Sequence, residues 1–285
     1  MRSLLLDLYI ESCLLEHNIA GAMDLDQHAV SITVYPPSMQ GRGAFDGGKI
    51  TERKPIGFPG DDSEIKRVGP LFYWAWATSH APSKIALHPH QAFEIVSYVL
   101  EGEIGHYDTL GTKSRVGEGG TQVMQTGWGI SHEEEMPEAG TEFFQIWFEP
   151  YLQEALRRAP TYAAYHHDDF PTEETDDLTI KSVIGDDAPI RLVADATMQD
   201  LTLASGRRYR RFLSAGRCLA VVAIRGAGAW HIDEKTQALP FDAGAFSVVC
   251  AELDASIEVT AEGEGPLRLA VIEVPSTVKY PLYPK

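Results

Sequence analysis

From Val30 onward the chain alternates apolar and polar positions in short runs rich in β-branched and aromatic residues, each closed by Gly, Pro or Asp within about ten residues. Alternation with period two puts successive side chains on opposite faces of a strand, so the pattern predicts an all-β sandwich or barrel. In the first half the predicted strands are AVSITVY (29–35), LFYWAWAT (71–78), FEIVSYVLEGEIGHYD (93–108, two strands turning near Glu101-Gly102), TQVMQT (121–126) and EFFQIWFE (142–149). In the second half they are LTIKSVIG (178–185), IRLVADATM (190–198), RRYRRFLSA (207–215), CLAVVAIRGAGAWHI (218–232), AFSVVCA (245–251) and LRLAVIEV (267–274).

Between the halves the rhythm fails. Residues 150–177 show a short helical pattern over Leu152–Arg158 and then a Pro- and acid-rich stretch without periodicity, which marks a boundary. SYVLEGEIGHYD and VVAIRGAGAWHID echo one another as apolar strand, charged residue plus Gly, and resumed strand, which suggests a duplicated unit. The expected division is an extension over 1–28, a barrel over 29–150, a linker over 151–177 and a second barrel over 178–285. Asp7, Glu11 and Glu16 interrupt the apolar start, so it reads as a short amphipathic helix or loosely ordered extension, neither a signal peptide nor a membrane span.

Composition narrows the partners. A length of 285 residues suits two domains, and 44% hydrophobic with 23% charged residues is ordinary for a soluble globular chain. With 41 acidic residues against 24 Lys plus Arg, the net charge of −17 opposes direct binding of nucleic acid or an anionic membrane. The three cysteines, Cys13, Cys218 and Cys250, are far apart and form no CxxC pair, so a reducing, cytoplasmic location is expected.

Candidate chemistry sits in two segments. In LHPHQAFE, His88 and His90 share one face of an extended segment, and Pro89 biases His88 toward β geometry. In GWGISHEEEMPE, a turn at Gly127 and Gly129 leads into His132, with Glu134 on the same side. Three imidazoles and a carboxylate from two strands suit Fe(II), Mn, Ni, Cu or Zn with coordination positions left open, which favours chemistry over a structural staple. Either segment alone also reads as a solvated or core-satisfied strand. Glu133 and Glu135 flank Glu134, and a bulge after Gly129 would exchange them for it. Trp74 and Trp76 share strand parity and read as core; Phe93, Phe144 and Trp147 are candidates to line a pocket; His106 and Asp108 lie by a tight turn and read as structural.

The run HPHQAFEIVSYVLEGEIGHYDTLGTKSRVGEGGTQVMQTGWGISHEEEMP resembles the pirin family of cupins, with its HPH pair, its E-x-V-x-Y-V-L-E-G-E-I-x-H-x-D hairpin and its G-x-G-x-x-H-x-E turn in order. Thr109 stands where Ser is common, the match covers about residues 40 to 150, and the start before Val30 does not resemble the usual pirin start. The resemblance implies a bicupin, all-β, of two jelly-roll barrels with a few short helices and metal in the leading barrel only. The implied ligands are His88, His90, His132 and Glu134, where the general cupin pattern would nominate Glu94 instead; His231 is expected to be packing or surface.

Fe(II) is the family's usual metal, with Mn, Ni, Co, Cu or Zn compatible. The implied activity is that of a quercetin 2,3-dioxygenase acting on a flavonol or related phenol with O2, Glu134 taking the proton of the substrate hydroxyl. The alternative within the family is a redox-responsive metal-binding regulator that acts through a protein partner.

Overall fold

A computed structural model describes residues 29–232 and 237–283. The expected extension over 1–28 lies outside the described residues. The first half contributes β1 (Val30–Tyr35), β2 (Gly41–Phe45), β3 (Ile50–Ile56), β4 (Leu71–Ser79), β5 (Ser83–His90) and β6 (Glu94–Glu101), then β7 (Glu103–Asp108), β8 (Lys113–Gly117), β9 (Thr121–Gln125), β10 (Ile130–Met136) and β11 (Glu142–Phe148). A single turn of helix, α1 (Leu152–Ala155), precedes β12 (Thr161–Tyr165) and β13 (Thr172–Glu174). The second half adds β14 (Leu178–Ile184), β15 (Thr197–Leu203), β16 (Arg208–Leu213), β17 (Arg217–Arg225) and β18 (Ala227–His231), then β19 (Leu239–Phe241), β20 (Phe246–Ala251), β21 (Ala255–Glu262) and β22 (Leu267–Pro275).

These strands make two copies of one plan, a seven-stranded sheet facing a four-stranded one. The leading copy pairs the order β12-β9-β6-β11-β4-β3-β2 with β5-β10-β7-β8; the trailing copy pairs β1-β20-β17-β22-β15-β14-β13 with β16-β21-β18-β19. The echo in the sequence corresponds to the hairpins β6–β7 and β17–β18, which turn at Gly102 (φ 77°) and Gly226 (φ 80°). Such φ values favour glycine.

The strand exchange between the copies differs from the expected division. β1, expected with the leading barrel, pairs residue for residue with β20 of the trailing sheet. β12, inside the expected linker, pairs with β9 of the leading sheet. Alternation tells which face of a strand is apolar, and both sheets offer the same apolar face, so it carries no information on which sheet accepts the strand. The expected strand at 190–198 also moves, since β15 begins at Thr197 and Ile190 makes only an isolated bridge.

The largest core lies between the two seven-stranded sheets. Trp74, Trp76, Phe144 and Phe148 of the leading sheet meet Phe246, Met198 and Ile272 of the trailing one. Trp74 packs edge-on to both Phe144 and Phe246. Strand β4 is buried on both faces, with Tyr73 and Ala75 turned toward the aromatic interior of the leading barrel, which is why it reads as an unbroken apolar run. A polar lock crosses the same interface: Tyr98 Oη donates to Asp200 Oδ2 at 2.6 Å, and Arg268 donates to both oxygens of Asp200.

Cys218 and Cys250 form a disulfide, which corrects the reading of the cysteines as isolated. They are 32 residues apart in sequence but directly opposite on the adjacent strands β17 and β20. Closing a loop of that size removes freedom from the unfolded chain worth about 3–4 kcal/mol. Reduction should therefore lower the urea midpoint by a corresponding amount, and the double serine variant should show the same midpoint with and without reductant.

Candidate metal centre

Strand β10 runs antiparallel between β5 and β7, and His132 stands opposite His88 on one side and Asp108 on the other. Against β7 the register of β10 is unbroken from His132 to Glu135. Against β5 it shifts, because Glu134 pairs with Ile85 while His132 pairs with His88, so three steps on β5 span two on β10. The bulge is therefore in β5, at Ala86 and Leu87, and the parity of β10 is preserved. His132, Glu134 and Met136 alternate inward as buried residues. Glu133 turns out to Lys84 at 2.6 Å and Glu135 to Arg115 at 2.9 Å. The turn that launches β10 needs glycine: Gly127 has φ 49°, and a Cβ there would lie 2.4 Å from the carbonyl oxygen of Arg158.

The result is a tight group of imidazoles. Ring centroids are 4.7 Å apart for His88 and His90, 4.5 Å for His88 and His132, and 4.9 Å for His90 and His132. One ligand nitrogen from each lies within 4.8 Å of the others, the arrangement a single ion can bridge. His88 Nδ1 is 2.8 Å from the carbonyl oxygen of Ala86, in the bulge; a carbonyl can only accept, so Nδ1 donates and the Nε2 lone pair is left free for a metal. Both ring nitrogens of His132 are buried without a hydrogen-bond partner. A buried unpaired nitrogen is costly unless something outside the chain satisfies it, and a divalent metal would satisfy the one that carries the lone pair. Burial, with the neighbouring imidazoles second, pushes His90 and His132 down to about 3, so both are neutral and able to ligate at ordinary pH.

That depression sets a pH dependence for the metal-free protein. Free His titrates near 6.5, so between about 6.5 and 3 the unfolded chain binds more protons than the folded one, and stability falls as pH is lowered through that window. Each group costs about 1.4 kcal/mol for every pH unit below about 6.5, so the loss accumulates steadily as pH falls. Urea midpoints of metal-free protein compared with a His90→Leu/His132→Leu variant should diverge across that window, and parallel curves would count against the burial of neutral imidazoles.

Glu134 shares the inward face of β10, but the ligand atoms that lie within 4.8 Å of one another are those of His88, His90 and His132 without it. Gln145 Nε2 donates to both its carboxylate oxygens at 3.0 Å, and Ser97 Oγ donates at 3.2 Å. Gln145 and Ser97 escaped the sequence reading, although each is a lone polar residue at an inward position of an otherwise apolar strand. Glu94, the alternative carboxylate, faces the trailing half instead and accepts from the backbone N–H groups of Val193 and Ala194, both at 2.8 Å.

The aromatic surroundings sort themselves by parity. Trp147 stands edge-on to His90 at 4.7 Å, with Phe93 in the same cluster, and its indole N–H is buried without a partner. Phe144 points the other way, into the inter-barrel core, and does not line the centre. A cavity of about 440 Å³ opens beside His90 between Pro89, Gln91, Thr109 and Ser131. His106 lies 5.4 Å from the His132 ring, stacks on Tyr162 at 3.9 Å and bonds Asp108 at 2.9 Å. Asp108 also accepts from the N–H groups of Leu110 and Thr112, as its turn position suggests.

In the trailing barrel, β16 and β21 take the places of β5 and β10, and their inward positions hold Tyr209, Arg211, Ile257 and Val259. His231 bonds Thr260 Oγ1 at 3.0 Å.

Two face-to-face jelly-roll copies with a histidine centre in the leading one define a bicupin. The pirin family model matches residues 73–148. A protein described as "Putative quercetin 2,3-dioxygenase PA1210", from Pseudomonas aeruginosa, is 34% identical over 170 residues, covering 58% of this chain and 71% of that one. A pirin-like protein from Caulobacter vibrioides is 38% identical over 145 residues, covering 49% and 59% respectively, so the match spans less than two thirds of that relative. Among solved structures, the nickel(II) complex of the bacterial pirin YhhW from Escherichia coli superposes with a TM-score of 0.70 at 20% identity, covering 86% of this chain and 99% of that one; at that identity it shows the fold. The chain belongs to the pirin family.

Proposed function

We propose that the protein is a metal-dependent dioxygenase that opens a flavonol or related phenol, in the manner of quercetin 2,3-dioxygenases, with His88, His90, His132 and Glu134 as the metal-binding set. The observation that carries this reading is His132, whose two buried nitrogens have no partner among the described residues while two further imidazoles converge on it. An ion held there, Fe(II) being the family's usual choice, supplies a Lewis acid for a phenolic oxygen and the redox partner for O2.

The chain's own residues prepare the rest. Glu134 takes the proton of the substrate hydroxyl, and its carboxylate is aimed by Gln145 and Ser97. The edge of the cavity beside His90 admits a flat ring, while Trp147 against His90 and Phe93 beside it exclude water.

The test is loss of quercetin's visible absorption together with oxygen uptake by protein reconstituted in turn with Fe, Mn, Ni, Co and Cu. Turnover that disappears in His88→Ala, and falls about 100-fold or more in Glu134→Gln under excess metal, is the expected result. Absence of turnover with every metal would move the assignment to a metal-binding regulatory protein.

A further inference from the structure

A second cavity, also about 440 Å³, lies away from the imidazoles on the edge of the leading seven-stranded sheet. Its wall includes Arg42, Thr51, Arg53, Trp76, Thr78 and Glu142. Arg42 on β2 and Arg53 on β3 are directly opposed cross-strand partners, so two guanidinium-bearing side chains leave the sheet from adjoining positions on one face. Like charges so placed repel and destabilise a sheet unless an anion is set between or against them.

Among the described residues no carboxylate takes that role. Neither guanidinium hydrogen-bonds or ion-pairs with a described residue, and Arg53 Nε is buried without a partner. The chain has acid to spare, with 41 Asp and Glu, and other partly buried arginines are paired, as Arg217 is with Glu273 and Arg268 with Asp200. Burial works against the charge on Arg53, and attraction from Glu142 offsets it only in part.

Arg53 is nonetheless held in place. Its guanidinium lies 4.6 Å over the Trp76 ring, and the backbone of Gly244 from the trailing barrel closes over it, since a Cβ on Gly244 would come within 2.7 Å of Arg53 Nη1. Gln40 Nε2 fixes that backbone by donating to the Gly244 carbonyl at 2.8 Å. A fork of donors is thus oriented by both barrels and left without an acceptor.

The two acids in the wall do not supply one. Glu142 accepts from Trp76 Nε1 at 3.1 Å and faces Arg225 at 3.8 Å. Glu52 is turned toward Tyr73 Oη, and burial raises it to about 7.

We propose that this inter-barrel cleft binds a small oxyanion, a carboxylate or a phosphate, through Arg42 and Arg53. Both anions present the oxygen pair that a guanidinium fork accepts, and the half-buried setting of Arg53 strengthens the bond relative to open solvent. The proposal is independent of what the metal centre does.

Calorimetric titration of metal-loaded protein with inorganic phosphate, and separately with succinate, tests it. Saturable binding of at least one anion is expected, weakened about tenfold or more in Arg42→Gln, whose exposed side chain can be removed without disturbing the core. Arg53→Met should weaken it further. Binding of phosphate alone or succinate alone identifies the source. No saturable binding of either, or equal affinity in Arg42→Gln, would overturn the proposal.

Discussion

Replacing His132 with leucine should abolish stoichiometric metal binding and leave the metal-free protein as stable as the wild type or more so. The two halves of that expectation come from one feature. As a ligand, His132 is the deepest of the three imidazoles and the one that joins β10 to the HPH pair of β5. Even indirect partners of a metal ligand are worth 10–100-fold in affinity, so loss of a ligand should exceed about 100-fold. As a core residue it is a poor one, because each buried polar group without a partner costs about 1–3 kcal/mol, and leucine of similar bulk carries no such group. Metal content after dialysis and the urea midpoint of the metal-free form read the two effects separately. Retained metal would remove His132 from the ligand set; a large loss of stability would mean that its nitrogens are satisfied after all.

Asp200→Ala should destabilise the protein by about 3–5 kcal/mol, the largest effect expected of any single change remote from the centre. Asp200 is 7% exposed and is the only acceptor between Tyr98 of the leading sheet and Arg268 of the trailing one among the described contacts of those two groups. Truncation strands the Arg268 guanidinium, whose pKa the carboxylate raises against the cost of burial, and leaves the fully buried Tyr98 hydroxyl unpaired. Asp200→Asn, which keeps an acceptor without the charge, should cost distinctly less. Equilibrium urea unfolding checks both, and a change below about 1 kcal/mol for alanine would show that the apolar interface holds the barrels together unaided.

The convergence of His88, His90 and His132 is legible in the sequence because its information is local. His88 and His90 need only an extended backbone, which Pro89 enforces, and His132 and Glu134 need only unbroken alternation. A bulge after Gly129, which would substitute Glu133 or Glu135, does not occur; the register shift lies in β5, where His88 Nδ1 meets the Ala86 carbonyl, and β10 keeps its parity. The bicupin architecture followed from the motif resemblance rather than from alternation.

What stayed hidden depends on pairing between distant strands. Nothing in AVSITVY tells that β1 completes the other barrel's sheet, and nothing around Cys218 or Cys250 tells that they face each other. Phe144, a candidate for the pocket wall, lies in the inter-barrel core because alternation does not say which face is inside; Gln145, its neighbour, is the residue that reaches Glu134. The strand β21, ASIEVTAE, alternates as a strand should, but its polar positions and short apolar residues gave too weak a contrast to be recognised.

X-ray absorption at the metal edge of reconstituted protein tests the central claim most directly. The account predicts one tightly held ion per chain with three imidazole ligands and an oxygen donor at short range, and loss of that signature in His132→Leu. A spectrum dominated by water oxygens, or one unchanged by the substitution, would contradict it.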